Sequence, residues 1–262
     1  MTTTIALAGK GGVGKTTIAG MVIKYISQNK TGAILAIDAD PSSNLNMVLG
    51  LELEWTVGDI REGMLAQVQQ SLLQGGAAMG TIQGGMTKHD YLDYEVRSSL
   101  AEGKDFDLIA MGRPEGPGCY CAVNHNLREV VDSISKSYRY VVIDNEAGME
   151  HLSRRTTRDV QHLLVITDPT LRGIVAAERI KEIIDGLDIH VEKVHLILNR
   201  LIGEIPDPLM ERINDLGMHF LGSVPSNDEL MEFEFKGRPL VELGDESPVY
   251  RAVAEMMEKI LS

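Results

Sequence analysis

Residues 4–17 of this chain read TIALAGKGGVGKTT, and this stretch decides the fold. Its first five residues, TIALA, form the continuous apolar pattern of a strand buried on both faces. The glycine-rich run after them predicts a tight turn, and residues 16–28 carry apolar side chains at helical spacing. A strand, a turn and a helix in this order predict backbone N–H groups that face one anion at the positive end of the helix dipole.

Residues 9–17 also match the pattern G-x-x-x-x-G-K-[ST], in which a loop holds the phosphates of a nucleotide. We expect Lys15 to neutralise the β- and γ-phosphates, the Thr16 hydroxyl to bind Mg²⁺ and Thr17 to donate to the α-phosphate. The backbone that surrounds the phosphates is expected to be that of Gly11, Gly12, Val13 and Gly14. The sequence therefore predicts ATP and ADP as ligands, together with Mg²⁺.

The rest of the chain alternates short apolar runs with segments of helical spacing, and no internal repeat is visible. Runs typical of inner parallel strands are 33–38, 106–111, 140–144, 162–167 and 194–199. Helical spacing recurs in 126–137, 173–187 and 248–261. This alternation predicts one α/β domain over residues 1–262, with a doubly wound, mostly parallel sheet and helices on both faces.

Composition argues against several classes of protein. The formal net charge is -13 and no run of Lys and Arg is visible, so we expect no binding to nucleic acid. The chain has no apolar run of about 18 residues and no signal-peptide pattern, so we expect a soluble, cytoplasmic protein that does not engage a membrane. Residues 71–88 are rich in Gly and Gln, which predicts a mobile or partner-dependent insertion, the alternative being a simple surface insertion.

Lys10 adds a second lysine to the early half of the loop and gives the deviant Walker-A pattern K-G-G-x-x-K-[ST]. With this motif the chain resembles, over nearly its whole length, the family of nitrogenase iron protein, MinD, ParA and the arsenite-pump ATPases. The resemblance implies that Lys10 reaches across a dimer interface to the partner's nucleotide. A homodimer with paired ATPase sites, in which Lys10, Lys15 and Asp40 are catalytic, is the expectation. Taken alone, Lys10 would be an exposed loop lysine.

Carboxylates end two of the predicted strands. Asp38 and Asp40, in the string DADP, resemble the family's switch I, which implies that Asp40 orients the attacking water and Asp38 supports the Mg²⁺ shell. Asp144 resembles the end of a Walker B strand, which implies that it holds Mg²⁺ through water. Glu146 and Gly148 follow in switch II, where Gly148 would let the backbone move against the γ-phosphate. A helix cap is the alternative role of an aspartate that ends a strand.

Four further positions match the places where this family reads adenine. They are Asn199, Arg200, Pro225 and Asp228. Asn and Pro also occur at strand ends for local reasons of turn geometry, so the alternative is a purely structural role.

The two cysteines of the chain, Cys119 and Cys121, form a C-x-C pair. Two cysteines make no disulfide scaffold for a core of this size, which fits a reducing cytosol. In an extended segment, residues two apart point to one side, so both sulfurs would face the same way. Two such pairs opposed across a two-fold axis would complete a tetrahedral site for zinc, nickel or another thiophilic ion. The alternative is a pair of reduced structural cysteines.

The string GRPEGPGCYC at 112–121, the string DNEAGMEH at 144–151 and the DADP string together resemble the CooC family. The resemblance implies that ATP closes a homodimer around one Ni²⁺ ion at the segment 112–125. Hydrolysis would then reset the dimer as nickel enters apo-carbon monoxide dehydrogenase or acetyl-CoA synthase. Zn²⁺ would fit the same thiolates, and His125 is a candidate auxiliary ligand. We expect the other six histidines at the surface or at helix caps.

Related families provide the alternatives. An iron–sulfur carrier of the Mrp type also uses paired cysteines, although usually as C-x-x-C nearer the C-terminus. A nitrogenase-type reductase needs two well-separated cysteines per subunit. A MinD-like or ParA-like switch would dimerise with ATP and bind no metal. The MinD-like case is weakened by residues 251–259, which are mixed in charge rather than basic.

Overall fold

The computed structural model describes residues 1–73, 87–112, 121–146, 159–186 and 190–262. Its strands are β1 (Thr3–Gly9), β2 (Ile34–Ala39), β3 (Ala101–Glu102), β4 (Asp107–Ala110), β5 (Tyr140–Asn145), β6 (Asp159–Thr167), β7 (His190–Leu201) and β8 (His219–Pro225). They form one sheet in the order β3-β4-β2-β5-β1-β6-β7-β8. The short edge strand β3 runs antiparallel to β4, and the other pairs are parallel. The prediction of a mostly parallel α/β sheet is confirmed.

Helices cover both faces of this sheet. They are α1 (Lys15–Asn29), α2 (Leu45–Leu49), α3 (Val57–Leu73), α4 (Lys88–Ser98), α5 (Cys121–Ser135), α6 (Leu171–Asp185), α7 (Asp207–Asp215), α8 (Asp228–Phe235), a 3-10 turn at Leu240–Glu242 and α9 (Pro248–Leu261). The central strand β1 contributes Ala6 and Ala8 to the core on one face and Ile5 and Leu7 to the core on the other. Burial on both faces explains why the strands are continuous apolar runs rather than alternating ones.

The observed strand β7 begins at His190, earlier than the predicted residue 194. The added residues, HVEK, include no apolar run, yet their backbone pairs with β6 in register, with His190 opposite Asp159 and Lys193 opposite His162. Backbone pairing needs no apolar side chain, so the hydrophobic pattern predicts a strand that is too short.

Two predicted segments are corrected at their ends. Of the insertion predicted at 71–88, residues 71–73 belong to α3, Thr87 is the N-cap of α4 and Lys88 opens that helix. The remaining part, 74–86, lies outside the described residues. Helix α5 starts at Cys121 rather than at residue 126, so Cys121 does not lie in the extended segment that we expected. Cys119 lies outside the described residues, as do the side-chain surroundings of Cys121.

The expectation of surface or capping histidines is wrong for two residues of a row that crosses three strands, His162 and His195, and holds for the third, His219. His162 on β6 and His195 on β7 are buried, and Nδ1 of the first lies 3.1 Å from Nε2 of the second. His195 Nδ1 lies 3.2 Å from Nδ1 of His219 on β8, which is exposed. A neutral imidazole donates from one nitrogen and accepts at the other, so each ring can satisfy its neighbour inside the sheet. Burial lowers the pKa of His195 to about 4, with the neighbouring imidazoles and Lys193 acting in the same direction.

No helix in the described ranges combines the length and the apolar character needed to cross a bilayer.

Candidate nucleotide-binding site

The candidate site lies at the carboxyl edge of the sheet, where the neighbouring strands β2, β5 and β1 end. In the strand register, Asp144 of β5 stands beside Asp38 of β2 on one side and beside Leu7 of β1 on the other. The glycine-rich loop follows directly, since β1 ends at Gly9. Parallel pairing therefore brings the loop and two predicted carboxylates, which are far apart in sequence, to one edge.

The loop itself has the backbone that its glycines predict. Gly12 and Gly14 adopt left-handed φ values of 79° and 90°, which residues with a Cβ atom rarely adopt. Gly14 is the N-cap residue of α1, and no side chain caps this helix end. The unsatisfied N–H groups and the helix dipole favour an anion here. Lys15 is 7% exposed and its ammonium lies 3.4 Å from the carbonyl oxygen of Lys10, whose own side chain is exposed.

Asp144 is a buried carboxylate, 1% exposed, beside the start of α1. Burial is the main reason that its pKa is raised to about 7, and the carboxylates of Asp38 and Asp40 act in the same direction. The Thr16 hydroxyl and the Lys15 ammonium oppose this rise. Among the described residues, neither oxygen of Asp144 has a hydrogen bond of normal geometry. A buried carboxylate is costly unless a cation meets it, so Asp144 and the Thr16 hydroxyl fit a Mg²⁺ site.

Asp38 is equally buried but is engaged by the backbone. Its Oδ2 accepts from Leu45 N at 2.9 Å and its Oδ1 accepts from Asp40 N at 3.1 Å. Its pKa is raised to about 6, mainly by burial, while these backbone N–H groups lower it. Asp38 therefore fixes the turn that carries Asp40. Asp40 is only half-buried, and its Oδ1 accepts from Ser42 N at 2.8 Å.

Strand β5 ends one residue after Asp144, at Asn145, a residue that the sequence reasoning overlooked. Asn145 is fully buried, and its Nδ2 donates to the carbonyl oxygen of Leu7 at 2.8 Å, which ties the end of β5 to the end of β1. Glu146 follows and is half-buried. Gly148, the other predicted switch II residue, lies outside the described residues. The signal that could have found Asn145 is an amide directly after the aspartate of a buried strand.

Asn199 and Arg200, which matched the family's adenine positions, lie at the nucleotide loop and contact its backbone. Asn199 Nδ2 donates to the carbonyl oxygen of Val13 at 2.7 Å, and Arg200 Nη1 donates to that of Gly12 at 2.9 Å. Pro225 ends β8 opposite Leu201, so it lies at the same edge of the sheet.

Helix α8 contributes a contact that no local pattern signals. The Thr17 hydroxyl, predicted to meet the α-phosphate, donates to Glu234 Oε1 at 3.2 Å. Asp228, the first residue of the same helix, is exposed. The two partners of the contact are separated by most of the chain, so only the tertiary fold reveals a carboxylate at this position.

The predicted nickel site stays a prediction, since Cys119 lies outside the described residues. Within the described ranges, no group of three or more His, Cys, Asp or Glu side chains is placed to hold a metal ion. His125, the candidate auxiliary ligand, is exposed on α5, and its Nε2 lies 3.4 Å from Glu129 Oε1.

A family model matches nearly the whole chain. Residues 4–240 match the CobQ/CobB/MinD/ParA nucleotide binding domain. The chain belongs to this family. It is therefore an ATP-binding P-loop NTPase of the MinD/ParA type, as the deviant Walker-A motif indicated.

Individual relatives extend over almost the full length. An uncharacterized ATP-binding protein of Methanocaldococcus jannaschii is 44% identical over 258 residues, which cover 98% of each chain. The carbon monoxide dehydrogenase accessory protein CooC of Rhodospirillum rubrum is 26% identical over 266 residues, 98% of this chain and 97% of the relative. The structure of the septum site-determining protein MinD complexed with Mg-ADP from Pyrococcus horikoshii OT3 has a TM-score of 0.67 at 19% identity, and the match covers 99% of this chain and 96% of that one. This last likeness confirms the fold.

Proposed function

We propose that this protein is an ATP-hydrolysing metallochaperone. A homodimer would bind one Ni²⁺ ion between the C-x-C pairs, Cys119 and Cys121, of its two subunits and promote nickel insertion into carbon monoxide dehydrogenase or acetyl-CoA synthase. The proposal rests chiefly on a C-x-C pair in a chain that is similar to a carbon monoxide dehydrogenase accessory protein over 98% of its length.

The hydrogen bonds around β4 support a link between nucleotide and cargo. The backbone N–H of Met111, directly after β4, donates to the carbonyl oxygen of Asp38 at 2.8 Å. The chain that leaves Met111 leads to Cys119 and Cys121. Asp38 also fixes the turn that carries Asp40. A movement of this turn on ATP binding would therefore displace Met111, and with it the start of the segment 112–125 that contains both cysteines. ATP would in this way set the distance between the two C-x-C pairs of a dimer.

Hydrolysis needs little covalent chemistry from the protein, since phosphoryl transfer depends on positioning and on charge neutralisation. Bound Mg²⁺ would supply positive charge to the β- and γ-phosphates, and Thr16 and Asp144 would hold it. Lys15 would neutralise the same phosphates from the loop. Asp40, which is accessible, would accept a hydrogen bond from the attacking water and orient it. Lys10, also exposed, would complete the site of the partner subunit.

The test is a nickel titration of the chelator-treated, reduced protein, read as bound metal per chain after equilibrium dialysis. We expect one Ni²⁺ per two chains and a dimer in analytical ultracentrifugation, even without nucleotide. The double variant Cys119→Ala/Cys121→Ala should lose both Ni²⁺ binding and Ni²⁺-dependent dimerisation. Lys15→Ala is the matched control, since it keeps the cysteines and should lose nucleotide binding while it still dimerises with Ni²⁺.

The alternatives predict other outcomes. One metal ion per chain would contradict the shared site. ATP-dependent dimerisation without metal binding would identify a MinD/ParA-like switch, and an iron–sulfur chromophore that needs both cysteines after reconstitution would identify an Mrp-type carrier. Zn²⁺ is titrated in parallel, because thiolates also bind it tightly.

A further inference from the structure

Two side chains from a distant strand hold the nucleotide loop. Strand β7 is separated from β1 by β6, yet its residues Asn199 and Arg200 contact the loop that follows β1. Asn199 is 5% exposed, and its Nδ2 donates to the carbonyl oxygen of Val13. Arg200 Nη1 donates to the carbonyl oxygen of Gly12. These two consecutive loop carbonyls are therefore both bound by side chains of one strand.

The backbone around the two donors is unusual. Arg200 has a φ of 59°, a left-handed conformation that costs free energy in a residue with a Cβ atom. The side chain of Asn199 stabilises this conformation, because its Oδ1 accepts from Arg200 N at 2.9 Å. The left-handed turn places the guanidinium so that it reaches Gly12. The strain is thus found at the residue that makes the second contact with the loop.

The loop in turn is shaped to receive the amide. A Cβ atom on Gly14 would lie 2.4 Å from Asn199 Nδ2, far inside any normal contact. Gly14 is consequently required for two reasons: its φ of 90° and the amide that lies against it.

We infer that Asn199 and Arg200 are positioning residues that aim the N–H groups of the loop at the phosphates. In a planar trans peptide the C=O and the following N–H point in opposite directions. Holding the carbonyl oxygens of Gly12 and Val13 therefore fixes the directions of the N–H groups of Val13 and Gly14. A loop with its donors already oriented binds an anion without an ordering cost. The inference concerns nucleotide binding alone and is independent of the cysteine pair.

This role differs from the reading of adenine. Both polar atoms of the Asn199 side chain are already engaged with the backbone, Oδ1 with Arg200 N and Nδ2 with the Val13 carbonyl. The positioning residues act on the phosphate end of the ligand. Their loss should weaken the binding of any polyphosphate, with or without a base.

The experiment compares Mg-ATP with Mg-tripolyphosphate, which has no base, in the full-length protein. Affinities are read as direct binding of Mg-ATP and as competition by tripolyphosphate at millimolar concentration. We expect Asn199→Ala to weaken both ligands by a similar factor of about ten, the effect of losing one buried hydrogen bond. Arg200→Gly loses an exposed hydrogen bond and should weaken both ligands by a smaller factor of about three. Arg200→Lys retains a cationic donor and should recover part of the loss. Asn29→Ala is the matched control, since its Nδ2 donates to the carbonyl oxygen of Tyr25 at 3.0 Å at the far end of α1.

Arg200→Gly separates positioning from simple stability. Glycine adopts a φ of 59° without strain, so the melting temperature of this variant should stay equal or rise while its affinity falls. If Asn199→Ala does not fold, Arg200→Gly still tests whether these side chains position the loop. Loss of ATP affinity with unchanged tripolyphosphate affinity would overturn the inference in favour of adenine reading. Unchanged affinity for both ligands, or an affinity loss that follows a lowered melting temperature, would overturn it as well.

Discussion

Replacing Asp144 by Asn should make the nucleotide-free protein more stable and at the same time unable to use Mg²⁺. The carboxylate is 1% exposed and its oxygens lack normal hydrogen bonds within the described part of the chain. Its pKa is raised from 3.8 to about 7, mainly by burial. Because the folded pKa lies above the unfolded one, folding favours the protonated form. This contribution to stability is complete below pH 3.8 and is lost as the pH rises through 7.

The size of the effect follows from the same values. At pH 8 the difference between 3.8 and about 7 corresponds to a cost of about 4 kcal/mol for the ionised carboxylate. At pH 5 the cost falls to less than about 2 kcal/mol, since folding then opposes ionisation over a smaller pH interval. Relaxation around a buried charge reduces such costs. We therefore expect Asp144→Asn to raise the free energy of unfolding by about 2 kcal/mol at pH 8 and by clearly less at pH 5.

The assay is urea unfolding of both proteins at pH 5 and pH 8 with EDTA, and again at pH 8 with Mg-ATP. Mg-ATP should raise the free energy of unfolding of the parent protein much more than that of Asp144→Asn. Asp245→Asn is the control that should lower the free energy of unfolding, because the ionised carboxylate of Asp245 is stabilised in the folded protein. Hydrogen bonds from Lys24 and Gln28 lower its pKa. If Asp144→Asn is no more stable than the parent protein at pH 8, the carboxylate has a partner and the argument for a cation site fails.

Three further predictions follow from the site and the sheet. Lys15→Ala should abolish ATP binding, whereas Asp40→Ala should bind ATP normally and stop phosphate release; normal turnover of Asp40→Ala would remove Asp40 from its proposed role. Glu234→Gln should strengthen ATP binding about threefold, since the side chain then no longer repels the phosphates, although its amide oxygen can still accept from the Thr17 hydroxyl. Calorimetry checks this against Glu229→Gln, and equal affinities would contradict it. His195 should stay neutral well below its ordinary pKa of 6.5, and its protonation in the unfolded chain should lower stability as the pH falls from 6.5 towards 4. An NMR titration in which the His195 ring protonates near pH 6.5 would refute this.

Several parts of the site were predictable because their signals are local. The strand, loop and first helix occupy consecutive residues, so the glycines and Lys15 identify them without any knowledge of the fold. Asp38 and Asp144 could be placed together because each ends a buried apolar run, and parallel strands end at one edge. Burial raises the pKa values of both carboxyl groups, and the sequence did not predict how deeply they are buried.

Other parts were missed for a common reason. The contact of Asn199 with the loop was missed, because the sequence only matched this residue to the family's adenine position, and the fold alone brings its Nδ2 within 2.7 Å of the Val13 carbonyl oxygen. The histidine row was assigned to the surface because polar residues usually lie there. The pairing of β6, β7 and β8 gives the buried rings of His162 and His195 imidazole neighbours that satisfy their ring nitrogens.

The sequence by itself determined the kind of ligand and the class of fold, since a phosphate loop is built from adjacent residues whose conformations depend on local sterics. Only the tertiary structure decided which distant groups complete that loop. Asn199 and Arg200 of β7 and Glu234 of α8 contact residues of the motif at 9–17, Asn145 of β5 contacts Leu7 in β1, and these contacts depend on strand order and helix placement. Those are properties of the packed chain, in which burial and close approach select partners that no spacing along the sequence encodes.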